Sequence, residues 1–159
     1  TFIEPTQQIR SLGVKLKHSI NKTLIKNKSL ILIDDSLVRG TTSVKIIKML
    51  YESGAKEVHL RIASPPIKYP DYYGINTPTK DELLASKLNL EEMRKFINAT
   101  TLQFLSIDGL YKSMGYEKRN TSYPQFTDHC FTGDYPIEPI DANIKNFSGE
   151  ELSFLSSKL

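Results

Sequence analysis

The sequence has one cysteine, Cys130, in 159 residues, so no intrachain disulfide can form, and a reducing compartment, the cytoplasm, is the expected setting. No apolar run approaches the about 20 residues that a membrane helix needs, and no signal peptide is visible. Charge of one sign is also scarce. The net charge is only +3, with the basic residues scattered as in KLKHSINKTLIKNK. Nucleic-acid binding would call for a denser basic stripe or an aromatic platform, so neither nucleic acid nor membrane is an expected partner, whereas a small phosphorylated ligand suits a modest positive balance. The three histidines, His18, His59 and His129, are not arranged as a metal set. The chain opens on Thr1 rather than Met, mid-phrase in TFIEPTQQIR. A fragment or processed chain is expected, and a truncation point is favoured over an N-terminal threonine nucleophile because nothing beside Thr1 is prepared for catalysis.

What is present is enough for one domain with a real core: 39% hydrophobic and 25% charged residues. Residues 1–11 read as a loop, and residues 12–25 as mostly loop with a short helix. Residues 29–33 form a short all-apolar run, the mark of a strand buried on both faces of a parallel sheet. Residues 42–53 carry helical periodicity, with Ile46, Met49, Leu50 and Ser53 on one face and Gly54 as the stop. Residues 58–63 follow as a second strand, making a βαβ unit whose crossover should be right-handed. A proline-rich loop, SPPIKYPDYYGINTP, comes next. Thr79 with Glu82, and Asn89 with Glu92, are capping-box signals for helices over 80–86 and 90–97. Residues 102–105 are a third strand or an extended connector. Ser106 should cap a helix running to Met114 and stopped by Gly115. Residues 116–146 read as irregular and polar, and residues 148–159 as a short amphipathic helix.

The most informative stretch is LILIDDSLVRGTTS, residues 30–43. Ligands of open parallel sheets bind off the carboxyl ends of the strands, and Asp34 and Asp35 sit at such an end. Ser36 to Ser43 lead into a helix N-terminus, where free N–H groups and the helix dipole attract an anion. Gly40 lets backbone approach a ligand, and Thr41, Thr42 and Ser43 add hydroxyl donors. A carboxylate pair beside a phosphate cradle would repel the phosphate unless a sugar lies between. A ribose 5-phosphate satisfies both halves, with its hydroxyls donating to the aspartates and its phosphate in the cradle, and a Mg²⁺ on the sugar hydroxyls would draw on the same carboxylates. No lysine follows Gly40 to complete a Walker A loop, and the three spaced glycines of the Rossmann fingerprint are absent. The plain structural alternative makes Asp34–Asp35 a turn and Thr42 or Ser43 an ordinary N-cap.

The same stretch resembles the phosphoribosyl pyrophosphate (PRPP) signature of type I phosphoribosyltransferases. TFIEPTQQIRSLGVKLK, GAKEVHLRIASPPI, YYGINTP, SIDGLY and CFTGDYP narrow the resemblance to the amidophosphoribosyltransferase family, from Thr1 to about Pro136. That family makes 5-phosphoribosylamine from PRPP and glutamine-derived ammonia, the first step of purine synthesis. The resemblance implies an α/β chain with a partial type I phosphoribosyltransferase fold: a parallel sheet with flanking helices over residues 1–115, then a mostly irregular or helical extension over 116–159.

Carried over by position, Asp34 and Asp35 match the magnesium and ribose aspartates. Ser36, Val38, Arg39, Gly40, Thr41 and Thr42 match the 5-phosphate loop, and residues 1–18 match the latter part of a flexible loop that closes over PRPP and excludes water. The family's glutaminase domain and the front half of its transferase domain have no counterpart in this sequence, so a missing front half is an expected partner, the full-length form is expected to be a homo-oligomer, and the chain alone is expected to be inactive. Some members hold an iron–sulfur cluster on four cysteines. The matching positions here include Asp71, Thr127 and Cys130, so a four-cysteine cluster is not expected. Cys130 is expected to be a buried apolar thiol, and His59 a packing residue. A non-enzymatic PRPP-sensing regulator is the alternative, since such proteins share the loop. The phrases outside the loop follow the transferase.

Overall fold

The computed structural model describes residues 20–75 and 77–137. The expectations for residues 1–19, including the closing loop and His18, and for the C-terminal helix lie outside these residues. After a four-residue helix α1, Lys22–Ile25, capped by the Asn21 side chain, three strands form one parallel sheet in the order β1 (Ser29–Asp34), β2 (Glu57–Ile62), β3 (Thr101–Phe104). Leu32 lies opposite Leu60, and Leu60 opposite Leu102. Helix α2 (Thr41–Glu52) connects β1 to β2. The second crossover is longer. The proline-rich loop has no helix or strand among its described residues, and it is followed by a 3-10 turn (Lys80–Glu82), α3 (Leu84–Lys87) and α4 (Leu90–Ile97).

Both crossover helices pack on the same face of the sheet and against each other, so a single core gathers Ile47 and Leu50 of α2, Val58, Leu60 and Ile62 of β2, Met93 and Ile97 of α4, and Leu102 of β3. This corrects two sequence expectations. Strand β1 is buried on one face only: Leu30 and Leu32 pack against the core, whereas Ile31 and Ile33 are 69% and 72% exposed. Unbroken hydrophobicity in β1 therefore does not mean burial on both sides, because strand order 1-2-3 with crossovers of one hand leaves the second face without a covering helix among the described residues. Of the expected face of α2, Leu50 is buried and Ile46 packs partly buried against the core, but Ser43 and Ile47 are buried in place of Met49 and Ser53, so the face is rotated. Ile46 and Ile47 are both apolar, so periodicity alone does not fix the rotation. The wedge between β2 and α4 does.

The Asn89 capping box forms as expected, with Glu92 N–H donating to Asn89 Oδ1 at 3.0 Å and Asn89 N–H to Glu92 Oε2 at 2.8 Å. The Thr79 box does not form, and Thr79 makes no side-chain cap. Nor do residues 80–86 make one helix: Leu83 is extended (ψ 120°) and separates the 3-10 turn from α3. Its neighbour's amide, Leu84 N–H, donates out of the segment to Val38 O at 2.8 Å.

Ser106 caps α5 (Ile107–Ser113) through Gly109 N–H at 2.9 Å. The polar stretch that follows is more ordered than its composition suggests. Asp128, 3% exposed, begins α6 (His129–Thr132) and accepts from Tyr111 Oη at 2.8 Å, Arg119 Nε at 2.6 Å and Thr132 Oγ1 at 3.0 Å. Burial alone would raise its carboxyl, but the bonds from Arg119, Tyr111 and Thr132 outweigh that and hold it below the usual carboxylate value. Arg119 reaches on to Asp134. Lys68 and Tyr69 N–H both donate to Cys130 O, tying α6 to the proline-rich loop.

Candidate functional site

Strand β1 ends at Asp34, whose carbonyl still accepts Ala63 N–H at 2.9 Å as the ladder closes. Beyond it six residues, 35–40, carry the chain into α2. Asp35 N–H donates to Asp34 Oδ1 at 3.1 Å, and Ser36 Oγ donates to Asp35 Oδ1 at 3.1 Å. The two carboxylates thus share a turn at the carboxyl end of the sheet, with Asp35 exposed and Asp34 half-buried. Leu37, 2% exposed, anchors the loop in the core.

Gly40 is the hinge between loop and helix. Its φ is +76°, the left-handed region that costs a side chain energy, and a Cβ there would fall 2.9 Å from Leu84 Cδ2 and 3.2 Å from Phe96 Cε1. Gly40 is also the N-cap of α2 and so supplies no side-chain cap. Its carbonyl accepts Val44 N–H at 3.0 Å, leaving the amides of Thr41, Thr42 and Ser43 as first-turn donors without an intrahelical acceptor. The plain N-cap reading of Thr42 or Ser43 therefore does not describe this helix. The three amides at the positive end of this 12-residue helix follow directly on the loop that carries Asp34 and Asp35.

The sequence-predicted residues Asp34, Asp35, Ser36, Val38, Arg39, Gly40, Thr41 and Thr42 are thus brought together in one strand-end turn. Arg39 has a second commitment, which the sequence did not reveal. Its Nε and Nη2 donate to Glu82 Oε1 and Oε2 at 3.3 and 3.2 Å. The pairing partner lies 43 positions away, and in the sequence Glu82 reads only as the third residue of the Thr79 capping box.

The remaining candidates lie elsewhere. His59 Nδ1 is 2.9 Å from Thr101 Oγ1 on the uncovered sheet face. His129 is 3% exposed and its Nε2 lies 2.8 Å from Asp71 Oδ2, with Tyr135 stacked on the ring at 5.0 Å and Tyr73 edge-on at 5.1 Å. Cys130 is half-buried rather than buried as expected, and its partial burial, with the Asp71 carboxylate adding to it, pushes the thiol up, which disfavours a thiolate nucleophile. Among the described residues no group of three or more His, Cys, Asp or Glu side chains is placed to hold a metal ion, and no helix is long and apolar enough to cross a membrane.

No protein-family model matches the chain. Full-length relatives do. The chain is 58% identical over 158 residues to an amidophosphoribosyltransferase of Rhizobium etli, a match covering 99% of this chain and 32% of the relative. It is 48% identical over 138 residues to that of Bacillus subtilis, covering 87% and 29%. The chain is a homologue of one segment of the amidophosphoribosyltransferases. It spans about a third of the length of these curated relatives. A chloroplastic amidophosphoribosyltransferase of Arabidopsis thaliana is 48% identical over 94% of the chain. Among solved structures, the glutamine PRPP amidotransferase of B. subtilis, complexed with ADP and GMP, superposes with a TM-score of 0.69 at 46% identity, over 84% of this chain and 29% of that one. The α/β fold is that of the phosphoribosyltransferase part of the amidophosphoribosyltransferase, represented here by three parallel strands and their flanking helices.

Proposed function

We propose that this segment supplies the ribose-phosphate half of a PRPP site in an amidophosphoribosyltransferase of purine synthesis. The observation that carries the reading is the junction of β1 and α2: two carboxylates at a strand end, one turn away from uncapped helix amides. The Asp34 and Asp35 carboxylates accept the ribose hydroxyls. The backbone amides at the start of α2, with the Ser36, Thr41 and Thr42 hydroxyls, hold the 5-phosphate, and Gly40 allows the close approach. The reaction breaks the bond between ribose C1 and the pyrophosphate oxygen and forms one from C1 to ammonia nitrogen, a proton leaving the nitrogen. It needs no side-chain nucleophile. The work of these residues is positioning and charge placement around a sugar that becomes oxocarbenium-like.

The donor set suits Mg²⁺. Asp34 and Asp35 are hard oxygen ligands at an open strand end, and Mg²⁺ commonly takes one or two carboxylates with the rest of its shell from substrate and water. When bound, the ion would neutralise charge developing on the leaving pyrophosphate. We further propose that ammonia is delivered from glutamine by residues of the longer relatives that this segment does not match, that the whole enzyme is a homo-oligomer, and that it works in a reducing compartment such as the cytoplasm. The test is ammonia-dependent pyrophosphate release from PRPP by this chain combined with the complementary N-terminal portion of a close relative. Asp34→Asn and Asp35→Asn should each cut the rate at least tenfold, and full activity in both would sink the assignment.

A further inference from the structure

The loop between β1 and α2 is braced from outside by the 3-10 turn and α3. Leu83 is fully buried and Leu84 8% exposed, so the backbone around Glu82 is anchored in the core. From that anchor two contacts reach the loop: Leu84 N–H donates to Val38 O at 2.8 Å, and the Glu82 carboxylate receives Arg39 Nε and Nη2 in a two-point pair. The Leu84 side chain also fills the space where a Cβ on Gly40 would go. Three successive loop residues, Val38, Arg39 and Gly40, are therefore met by two residues of one short segment, Glu82 and Leu84. A forked guanidinium–carboxylate pair fixes orientation as well as distance.

We propose that Glu82 is a positioning residue for the phosphate-binding turn: it holds Arg39, and through Arg39 the loop backbone, so that the α2 amides are presented to the phosphate. The proposal rests on the reading of the site given above. Arg39 acts through Glu82 and not as a ligand contact, and anion recognition is left to neutral N–H and hydroxyl donors. The two side chains are 37% and 51% exposed, so the effect is modest, because exposed pairs are screened by water.

The test is a double-mutant cycle on the 159-residue chain, with ribose 5-phosphate and Mg²⁺ as the probe, read by calorimetric titration. Glu82→Ala, Arg39→Ala and the double variant should each weaken binding by the same factor, about three- to fivefold. Amide exchange over residues 36–41 should quicken in all three, while exchange in β2 and the urea midpoint stay unchanged. Binding weakened by Arg39→Ala alone, with Glu82→Ala silent in both affinity and loop exchange, would overturn the proposal and make Arg39 a direct ligand contact. Wild-type and Asp34→Asn chains that bind ribose 5-phosphate equally tightly would overturn the reading of the site itself.

Discussion

His129 and Asp71, 58 positions apart, meet with Nε2 2.8 Å from Oδ2, their side chains 4% and 7% exposed. The contact joins α6 to the proline-rich loop. Among the described residues His129 Nδ1 has no hydrogen-bond partner, while Nε2, facing the Asp71 carboxylate, is the ring nitrogen that donates. Asp71→Ala removes the acceptor and leaves the buried Nε2–H unpaired. The expected cost is about 1–3 kcal/mol, read as a lower urea midpoint. Asp71→Asn keeps an acceptor oxygen and should cost less. Equal losses in the two variants would show that charge, not the hydrogen bond, holds the contact.

Acid should weaken the same region. Burial acts to raise the Asp71 carboxyl, but backbone N–H bonds from Tyr73 and Ile75, then the bond from His129, outweigh it and leave the group below its usual value. Asp128 is depressed in the same sense. For a carboxyl with a depressed folded value, the stabilisation is fully present above the unfolded value, about 4, and is lost as pH falls through the folded one. Urea midpoints should therefore hold between pH 7 and 5 and drop below about pH 4. Asp128→Asn should lower the neutral-pH midpoint and flatten the acid limb.

Gly40→Ala tests the turn. The φ of +76° and the 2.9 Å approach to Leu84 both oppose a side chain. A loss of about 1–3 kcal/mol in stability is expected, together with weaker ribose 5-phosphate binding by titration. An alanine variant with wild-type affinity would show that the loop does not need this geometry.

Sidedness of the sheet gives a contrast. Ile97 is fully buried in the core, and Ile97→Ala should cost about 2–5 kcal/mol in urea unfolding. Ile33, on the uncovered face of β1 and 72% exposed, should tolerate Ile33→Thr within about 0.5 kcal/mol.

Much of this was legible in the residues themselves. The β1–turn–α2 unit could be read because each of its parts is local: an apolar run makes the strand, a glycine free of Cβ makes the turn, and apolar spacing makes the helix. The Asn89 box formed because both of its partners are three residues apart on one turn. At Thr79 the same pattern does not close: Glu82 N–H donates to the Thr79 carbonyl and not to its side chain, and the Glu82 carboxylate is engaged by Arg39, brought from elsewhere in the chain. The exposed half of β1 and the rotation of α2 escaped sequence reading for a related reason. Hydrophobicity says that a side chain prefers burial, not which face a neighbouring element covers.

The sequence by itself determined the strand, the turn and the helix start that place Asp34 and Asp35 beside uncapped amides, since sterics and local hydrogen bonding act over a few residues. Only the tertiary structure decided that Arg39 would turn to Glu82, that His129 would meet Asp71, and that Asp128 would be buried with Arg119 in a stretch that looks like a polar loop. Those pairings link residues as much as 58 positions apart, and a charge finds its partner only when the packed core has brought the two backbones within reach.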